Sequence, residues 1–133
     1  AGSRLLKGIR NTTKGGMPIY KLVGNIFLTI FQNLLMGTNF TDAHTGFWAY
    51  RMNNFKDKFY RLTTDGFNFD QQLRFQYIYK KQKILEIPID TRYADERSQL
   101  HIQYAIRFFF ETTIFFLMKI KIINFKTIKY LSK

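Results

Sequence analysis

Acidic residues occur at three places where the sequence predicts loops between strands and helices. Asp42 stands close to His44, Asp70 follows the segment Gly-Phe-Asn-Phe, and Asp95 is followed directly by Glu96. A carboxylate at such a position can act as a general base towards an acceptor, or it can hold a metal ion. Strand ends are also the usual location of sites in open α/β sheets. These residues are therefore the candidates for chemistry.

Each acidic position also has a structural explanation. Asp42 can cap a turn, and Asp70 can be the N-cap of its helix. Asp95 and Glu96 can pair with the arginines on either side of them. Taken singly, the structural explanation is preferred at every position, so a functional interpretation needs a wider pattern.

The first 16 residues are basic, with Arg4, Lys7, Arg10 and Lys14 among four glycines. The pattern predicts a short strand end near Ser3, followed by a solvated loop. Glycines beside cations would also suit a phosphate clamp, because they let the backbone approach a ligand. Composition alone favours the solvated loop.

The first strong helix is predicted to begin at Pro18 and to stop at Gly37. Apolar residues recur in pairs every four residues and predict one apolar stripe, with glycine and amide residues opposite. Amides would need partners in lipid, so the pattern favours a helix in a core or on a membrane surface over a transmembrane span. The apolar pairs are Leu22 with Val23, Ile26 with Phe27, Ile30 with Phe31, and Leu34 with Leu35.

Later segments alternate between predicted strands and predicted helices. Period-two patterns indicate strands over residues 47–51 and 84–90. Helical spacing indicates helices over residues 69–82 and 100–118. Helices that alternate with short strands predict the α/β fold class.

The chain carries a net charge of +12, from 21 Lys and Arg against 9 Asp and Glu, which implies an anionic partner. Aromatic residues make up 18% of the chain and often stand beside the cations. Basic and bulky apolar residues together are typical of membrane-surface segments. The sequence has no recognisable nucleic-acid-binding signature, so nucleic acid is not expected as a partner.

Residues 119–133 alternate Lys with Ile, Phe, Tyr and Leu and contain no acidic residue, which favours contact with a membrane. The alternative is a C-terminal helix docked on the body with its lysines in water. Cysteine is absent and there are two histidines, so neither a thiolate site nor a histidine-rich metal site is expected.

Six short motifs occur in a fixed order along most of the chain. Together they resemble the family 2 glycosyltransferases, in the branch similar to dolichyl-phosphate mannose synthase and bacterial polyprenyl-phosphate glycosyltransferases. No motif is specific alone, whereas six in order with sensible gaps are. They are Gly-Ser-Arg, Lys-Gly-Gly-Met-Pro-x-Tyr-Lys-x-x-Gly-Asn, Thr-Asp-x-His-Thr-Gly-Phe, Phe-Asn-Phe-Asp, Glu-Ile-Pro-Ile, and Thr-Arg-Tyr-Ala-Asp-Glu-x-Ser.

The resemblance implies a GT-A fold, of which this chain is the C-terminal, acceptor half. Residues 1–100 would form that half, and residues 101–133 a basic, aromatic, amphipathic segment that associates with membrane. The donor-binding half of the family ends in a metal-binding Asp-x-Asp, and no Asp or Glu precedes Asp42 here. The full enzyme is therefore expected to use Mg or Mn through ligands outside this chain, and this fragment is expected to be inactive alone.

The resemblance also assigns residues to the site. Asp42 and Asp70 match active-site carboxylates, and Asp70 lies in the region of the proposed base. Trp48 departs from the family, which usually has Arg there, and this removes a bidentate phosphate partner. The residues assigned to the acceptor and its phosphates are Arg4, Lys21, His44, Tyr93, Asp95 and Glu96.

The implied reaction is inverting transfer of a sugar from a nucleotide-sugar donor to an acceptor. A polyprenyl phosphate is the preferred acceptor, with a glycan as the other class, and the expected location is the cytoplasmic face of an anionic membrane. The alternative from a different class is a non-catalytic basic module that binds anionic membrane or nucleic acid.

Overall fold

The computed structural model describes residues 1–51, 69–90, 92 and 102–122. They form four helices and a two-stranded parallel sheet. The chain divides into two units, the first Ala1–Ala49 with Ile84–Ala105 and the second Tyr50–Lys83 with Ile106–Lys133. The predicted GT-A fold stays a prediction, and the candidate site residues Tyr93, Asp95 and Glu96 lie outside the described residues.

The sheet of the first unit joins the chain start to a segment more than 80 residues later. Strand β1, Gly2–Ser3, pairs in parallel with strand β2, Ile87–Pro88, with Gly2 opposite Ile87. A Cβ at position 2 would lie 2.8 Å from the side chain of Ile89, so the close approach requires glycine there. The strand predicted over residues 84–90 is thus confirmed only at its centre.

Residues 47–51 contain no strand, and that prediction is wrong. The alternating aromatic residues in this stretch pack on separate partners instead of entering a ladder. In the first unit Trp48 stands edge-on to Phe40, with ring centroids 5.8 Å apart. In the second unit Tyr50 packs on Tyr77, with centroids 5.0 Å apart.

The loop predicted after β1 is also wrong, because Ile9–Lys14 form a short helix, α1. Its residue Thr12 is buried and donates its hydroxyl to the Arg4 carbonyl at 2.7 Å. Gly8 precedes the helix with φ 92°, a backbone conformation that favours glycine. Glycine therefore marks a turn into helix here, not a flexible loop.

Helix α2, Ile19–Met36, begins and ends close to the predicted residues. Pro18 is the N-cap, so the helix begins at Ile19, one residue later than predicted. Gly37 adopts the left-handed conformation with φ 65° and donates its N–H to the Asn33 carbonyl at 2.8 Å. The predicted stop at glycine is confirmed.

The burial pattern of α2 differs from that of an ordinary core helix, which buries its apolar residues and exposes its polar ones. Three of its five most buried residues are polar, whereas one residue of each predicted apolar pair is exposed, namely Val23, Phe27, Ile30 and Leu34. Packing in a core, one of the two predicted positions of the stripe, therefore holds for Leu22 and not for these four side chains. The buried residues are Leu22, Asn25, Thr29, Gln32 and Met36.

The second unit contains helix α3, Phe69–Tyr79, and most of helix α4, Ile102–Lys119. The rings of Phe75 and Phe115 pack with centroids 4.8 Å apart. Gln71 donates to the Thr112 hydroxyl at 3.3 Å, so a polar contact accompanies the apolar core. Both helices fall within two to three residues of their predicted bounds.

Two glycines of α2 form a matched pair for a stability test. We expect Gly37→Ala to lower the free energy of unfolding by about 1 kcal/mol, because alanine is strained at a left-handed φ. We expect Gly24→Ala to raise it by about 0.5 kcal/mol, because it favours the helical backbone and its Cβ meets no atom within 4 Å. Urea unfolding measures both, and effects of the same sign would contradict this account of the helix end.

Candidate functional site

The centre of the candidate site is an ion pair between Arg4, directly after β1, and Asp42, in the loop after α2. The Arg4 Nε donates to Asp42 Oδ2 at 2.6 Å, and Nη2 donates to Oδ1 at 2.8 Å. The backbone N–H of Arg4 adds a third bond to Oδ2 at 3.1 Å. Asp42 is fully buried, and the Arg4 side chain is 13% exposed. Such paired donation fixes the plane and the position of the guanidinium.

The buried polar face of α2 holds the loop that carries Asp42. Asn25 donates its amide to Asp42 Oδ1 at 3.0 Å. Thr29 donates its hydroxyl to Asn25 at 3.1 Å and accepts the backbone N–H of Ala43 at 3.2 Å. Asn25 and Thr29 therefore face inward because they form hydrogen bonds with buried groups of this loop.

A second carboxylate, Glu86, binds the same loop from the start of the β2 segment. It accepts the backbone N–H of Thr41 at 2.9 Å and that of Asp42 at 3.2 Å. It also accepts the hydroxyl of Thr41 at 3.0 Å, and Ser3 shares a hydrogen bond of 2.6 Å with that hydroxyl. Both strands of the sheet thus position the Asp42 loop.

The charge state of Asp42 follows from these bonds. Burial raises the pKa of its carboxyl, whereas hydrogen bonds and the charge of Arg4, together with the Asn25 amide, lower it further than burial raises it. The net direction is downward, so the group is an anion at neutral pH. Its two oxygens accept hydrogen bonds from the Arg4 backbone N–H, from Arg4 Nε and Nη2, and from the Asn25 amide. This geometry suits a residue that holds Arg4 in place, and the catalytic assignment of Asp42 stays a prediction.

Two further predicted residues lie in the first unit with different outcomes. The His44 carbonyl accepts Arg4 Nη2 at 3.3 Å, so His44 joins the site through its backbone. Lys21 lies in the first turn of α2, and its ammonium stands 5.9 Å from the ring centroid of Tyr20. Among the contacts of the described residues, none brings Lys21 to Asp42.

Trp48, at the position where family 2 glycosyltransferases usually have Arg, has a structural contact in the same loop. Its indole N–H donates to the Thr45 carbonyl at 3.0 Å. The Thr45 hydroxyl in turn accepts the backbone N–H of Phe47 at 3.2 Å. Trp48 therefore helps to close the loop after Asp42.

Asp70 belongs to the second unit and lies in the first turn of α3. A carboxylate there interacts favourably with the positive end of the helix dipole. Asp70 lies close enough to Tyr50 to influence that phenol. Burial raises the pKa of Tyr50, the charge of Arg74 lowers it, and the charges of Asp70 and Tyr77 raise it, with a net upward shift. Asp42 and Asp70, assigned together by the motifs, are each positioned within a separate unit.

Sequence reasoning missed four contributors to the site, Ser3, Asn25, Thr29 and Glu86. A signal for each of them exists, because Ser3, Asn25 and Glu86 stand in three of the six motifs, and Thr29 lies one helical turn after Asn25 on the face opposite the apolar stripe. Within the described residues, no group of three or more His, Cys, Asp or Glu is placed to hold a metal ion. Comparison with protein-family models, with curated proteins and with solved structures finds no match.

The lowered pKa of Asp42 predicts a pH dependence of stability. A carboxyl with a lower pKa in the folded chain stabilises above its unfolded pKa, about 3.9, and this contribution is lost as pH falls through the folded pKa. Asp42→Asn lacks this titration. We therefore expect the gap in urea midpoint between the wild-type chain and Asp42→Asn to narrow from about pH 7 to about pH 3. A gap that widens towards acid would refute the direction of the shift.

The contacts of Glu86 predict that it stabilises the first unit. We expect Glu86→Gln to lower the free energy of unfolding by about 1–2 kcal/mol, because charge-assisted bonds to two backbone N–H groups weaken. The matched control is Asp90→Asn, since Asp90 is 81% exposed and pairs with Lys7 at the surface. That change should cost less than about 0.5 kcal/mol. Equal losses in the two variants would show that Glu86 does not hold the loop.

Proposed function

We propose that this chain is the acceptor-binding part of a glycosyltransferase of the family 2 type. The observation that carries the proposal is the convergence of four motifs in one bonded cluster. Arg4, Asn25, Asp42 and Glu86 come from four of the six motifs and are separated by up to 82 residues, yet all of them contact the Asp42 loop. Motifs that only formed local turns would not be expected to contact one another.

The chemistry of the cluster suits an anionic acceptor. Asp42 and its partners hold the Arg4 guanidinium in one orientation at the end of β1, with part of its side chain exposed. A fixed guanidinium stabilises a phosphate without reorganisation when charge shifts during the reaction. A phosphate acceptor is already anionic, so it needs little help from a general base.

The proposed step forms a bond between an acceptor phosphate oxygen and the anomeric carbon of the sugar. The bond from that carbon to the donor diphosphate breaks, and a nucleoside diphosphate leaves with the electron pair. A divalent Mg or Mn ion, bound with the donor outside this chain, would neutralise that leaving group. This chain contributes the site for the acceptor.

The location that best fits this reaction is a membrane surface on the cytoplasmic side, with a polyprenyl phosphate as acceptor. Among the described helices, α2 is long and apolar enough to cross a membrane, although helices of soluble proteins pass the same test. On α4, Ile106 and Phe110 are exposed. The charge of +12 is complementary to anionic lipid.

Sugar transfer tests the proposal in the full-length protein that contains this chain. Labelled sugar from nucleotide-sugar donors should appear on polyprenyl phosphate in vesicles. We expect Arg4→Met and Asp42→Asn to lower kcat/KM at least about 100-fold, because the positive charge is lost or misplaced. Asp70→Asn should lower kcat if Asp70 is the base for a hydroxyl acceptor.

Asp90→Asn is the control variant and should retain full transfer, and circular dichroism checks that each variant is folded. Absence of transfer by the wild-type protein with every donor offered would refute the proposal and leave the non-catalytic membrane module. Unchanged transfer in Arg4→Met and Asp42→Asn would refute the role of the cluster while keeping the activity.

A further inference from the structure

We infer that one face of α2 docks on the surface of an anionic lipid bilayer. The face, called here the α2 apolar face, occupies one stripe of the helix, since its members follow one another at intervals of three or four residues. Their exposed fractions run from 52% to 77%. The α2 apolar face consists of Ile19, Val23, Phe27, Ile30 and Leu34.

The opposite face of α2 is hydrogen-bonded to the rest of the first unit, and these bonds fix the orientation of the helix. Asn25 and Thr29 are bonded to the Asp42 loop. Rotation of α2 to bury its apolar side chains would break these bonds and leave the buried Asp42 with fewer partners. The α2 apolar face therefore has to be covered from outside the first unit.

The same bonds favour a helix that lies on the bilayer over one that crosses it. A transmembrane position would carry the amide of Asn25, the amide of Gln32 and the attached Asp42 loop into hydrocarbon. A helix parallel to the surface places only its apolar stripe at the acyl boundary and leaves the polar face with the protein. At 18 residues, α2 offers a stripe about 27 Å long.

The positive charge near α2 favours an anionic bilayer over a second copy of the chain as the partner of the α2 apolar face. The first 41 residues contain five Lys and Arg and no acidic residue. Arg10 and Lys14 are exposed on α1, which ends four residues before α2 begins, and Lys21 follows in the first turn of α2. Basic residues beside an apolar stripe suit anionic head groups. A second copy of the chain would bring the same cations together and another charge of +12.

Vesicle flotation with paired variants tests the inference on this chain. The docking variant carries Val23→Ser with Leu34→Ser, and the control carries Leu85→Ser with Ile87→Ser. All four residues are more than half exposed, so both variants should fold. On vesicles of phosphatidylcholine with phosphatidylglycerol, we expect at least about tenfold weaker binding for the docking variant and less than a twofold change for the control.

The wild-type chain should float poorly with pure phosphatidylcholine, because charge contributes to docking. Equal binding by the two variants would overturn the inference, since attraction would then depend on charge or on the rest of the chain.

A labelled cysteine reports whether α2 itself enters the interface. The chain has no cysteine, so Leu34→Cys and Leu85→Cys each give a single attachment site for a polarity-sensitive dye. With the anionic vesicles, the emission at position 34 should shift to the blue and that at position 85 should not. A shift at position 34 that depends on protein concentration and not on lipid would show a second copy on this face and overturn the inference.

These tests are independent of glycosyl transfer. Docking of α2 would stand if no sugar were transferred. Transfer that persists in the Val23→Ser, Leu34→Ser variant with unchanged vesicle binding would refute docking by α2 and leave the transferase in place.

Discussion

The buried ion pair between Arg4 and Asp42 is the constraint on which the first unit depends. Removal of two charges from water is costly, and the cost is offset only when the remaining hydrogen-bonding positions are filled. Asn25 fills one of them, and Glu86 fixes the backbone beside Asp42. Asn25 and Thr29 of α2, Ser3 of β1 and Glu86 beside β2 all contact the loop that carries Asp42.

Local signals predicted where the helices begin and end, and could not predict which side of α2 faces the protein. Pro18 and Gly37 act through their own backbone geometry, so the sequence alone predicts that the helix begins and ends beside them. Periodicity reports that an apolar stripe exists but not what covers it. The orientation depends on Asp42, 17 residues from Asn25, and on strand β2, Ile87–Pro88, which lies much later in the chain.

The candidate site was predicted in part for a similar reason. Arg4, Asp42 and His44 are charged or reactive residues in recognisable motifs, and they do meet. Ser3, Thr29 and Glu86 act by bonding backbone N–H and hydroxyl groups of neighbouring segments, a task that several polar residue types perform and that spacing does not mark. Lys21 was assigned by motif order alone, which places a residue along the chain and not in space.

Helix α2 has one face bonded to the Arg4–Asp42 pair and the other exposed, so the two proposed binding events, of lipid and of an anion, would share this helix. A small rotation of such a helix changes both faces at once. By thermodynamic linkage, the factor by which lipid contact changes the affinity of Arg4 for an anion equals the factor by which that anion changes the affinity for lipid. The affinity for soluble phosphate would then depend on vesicle binding, and the affinity for vesicles on phosphate, with the 18-residue helix α2 as the coupling element.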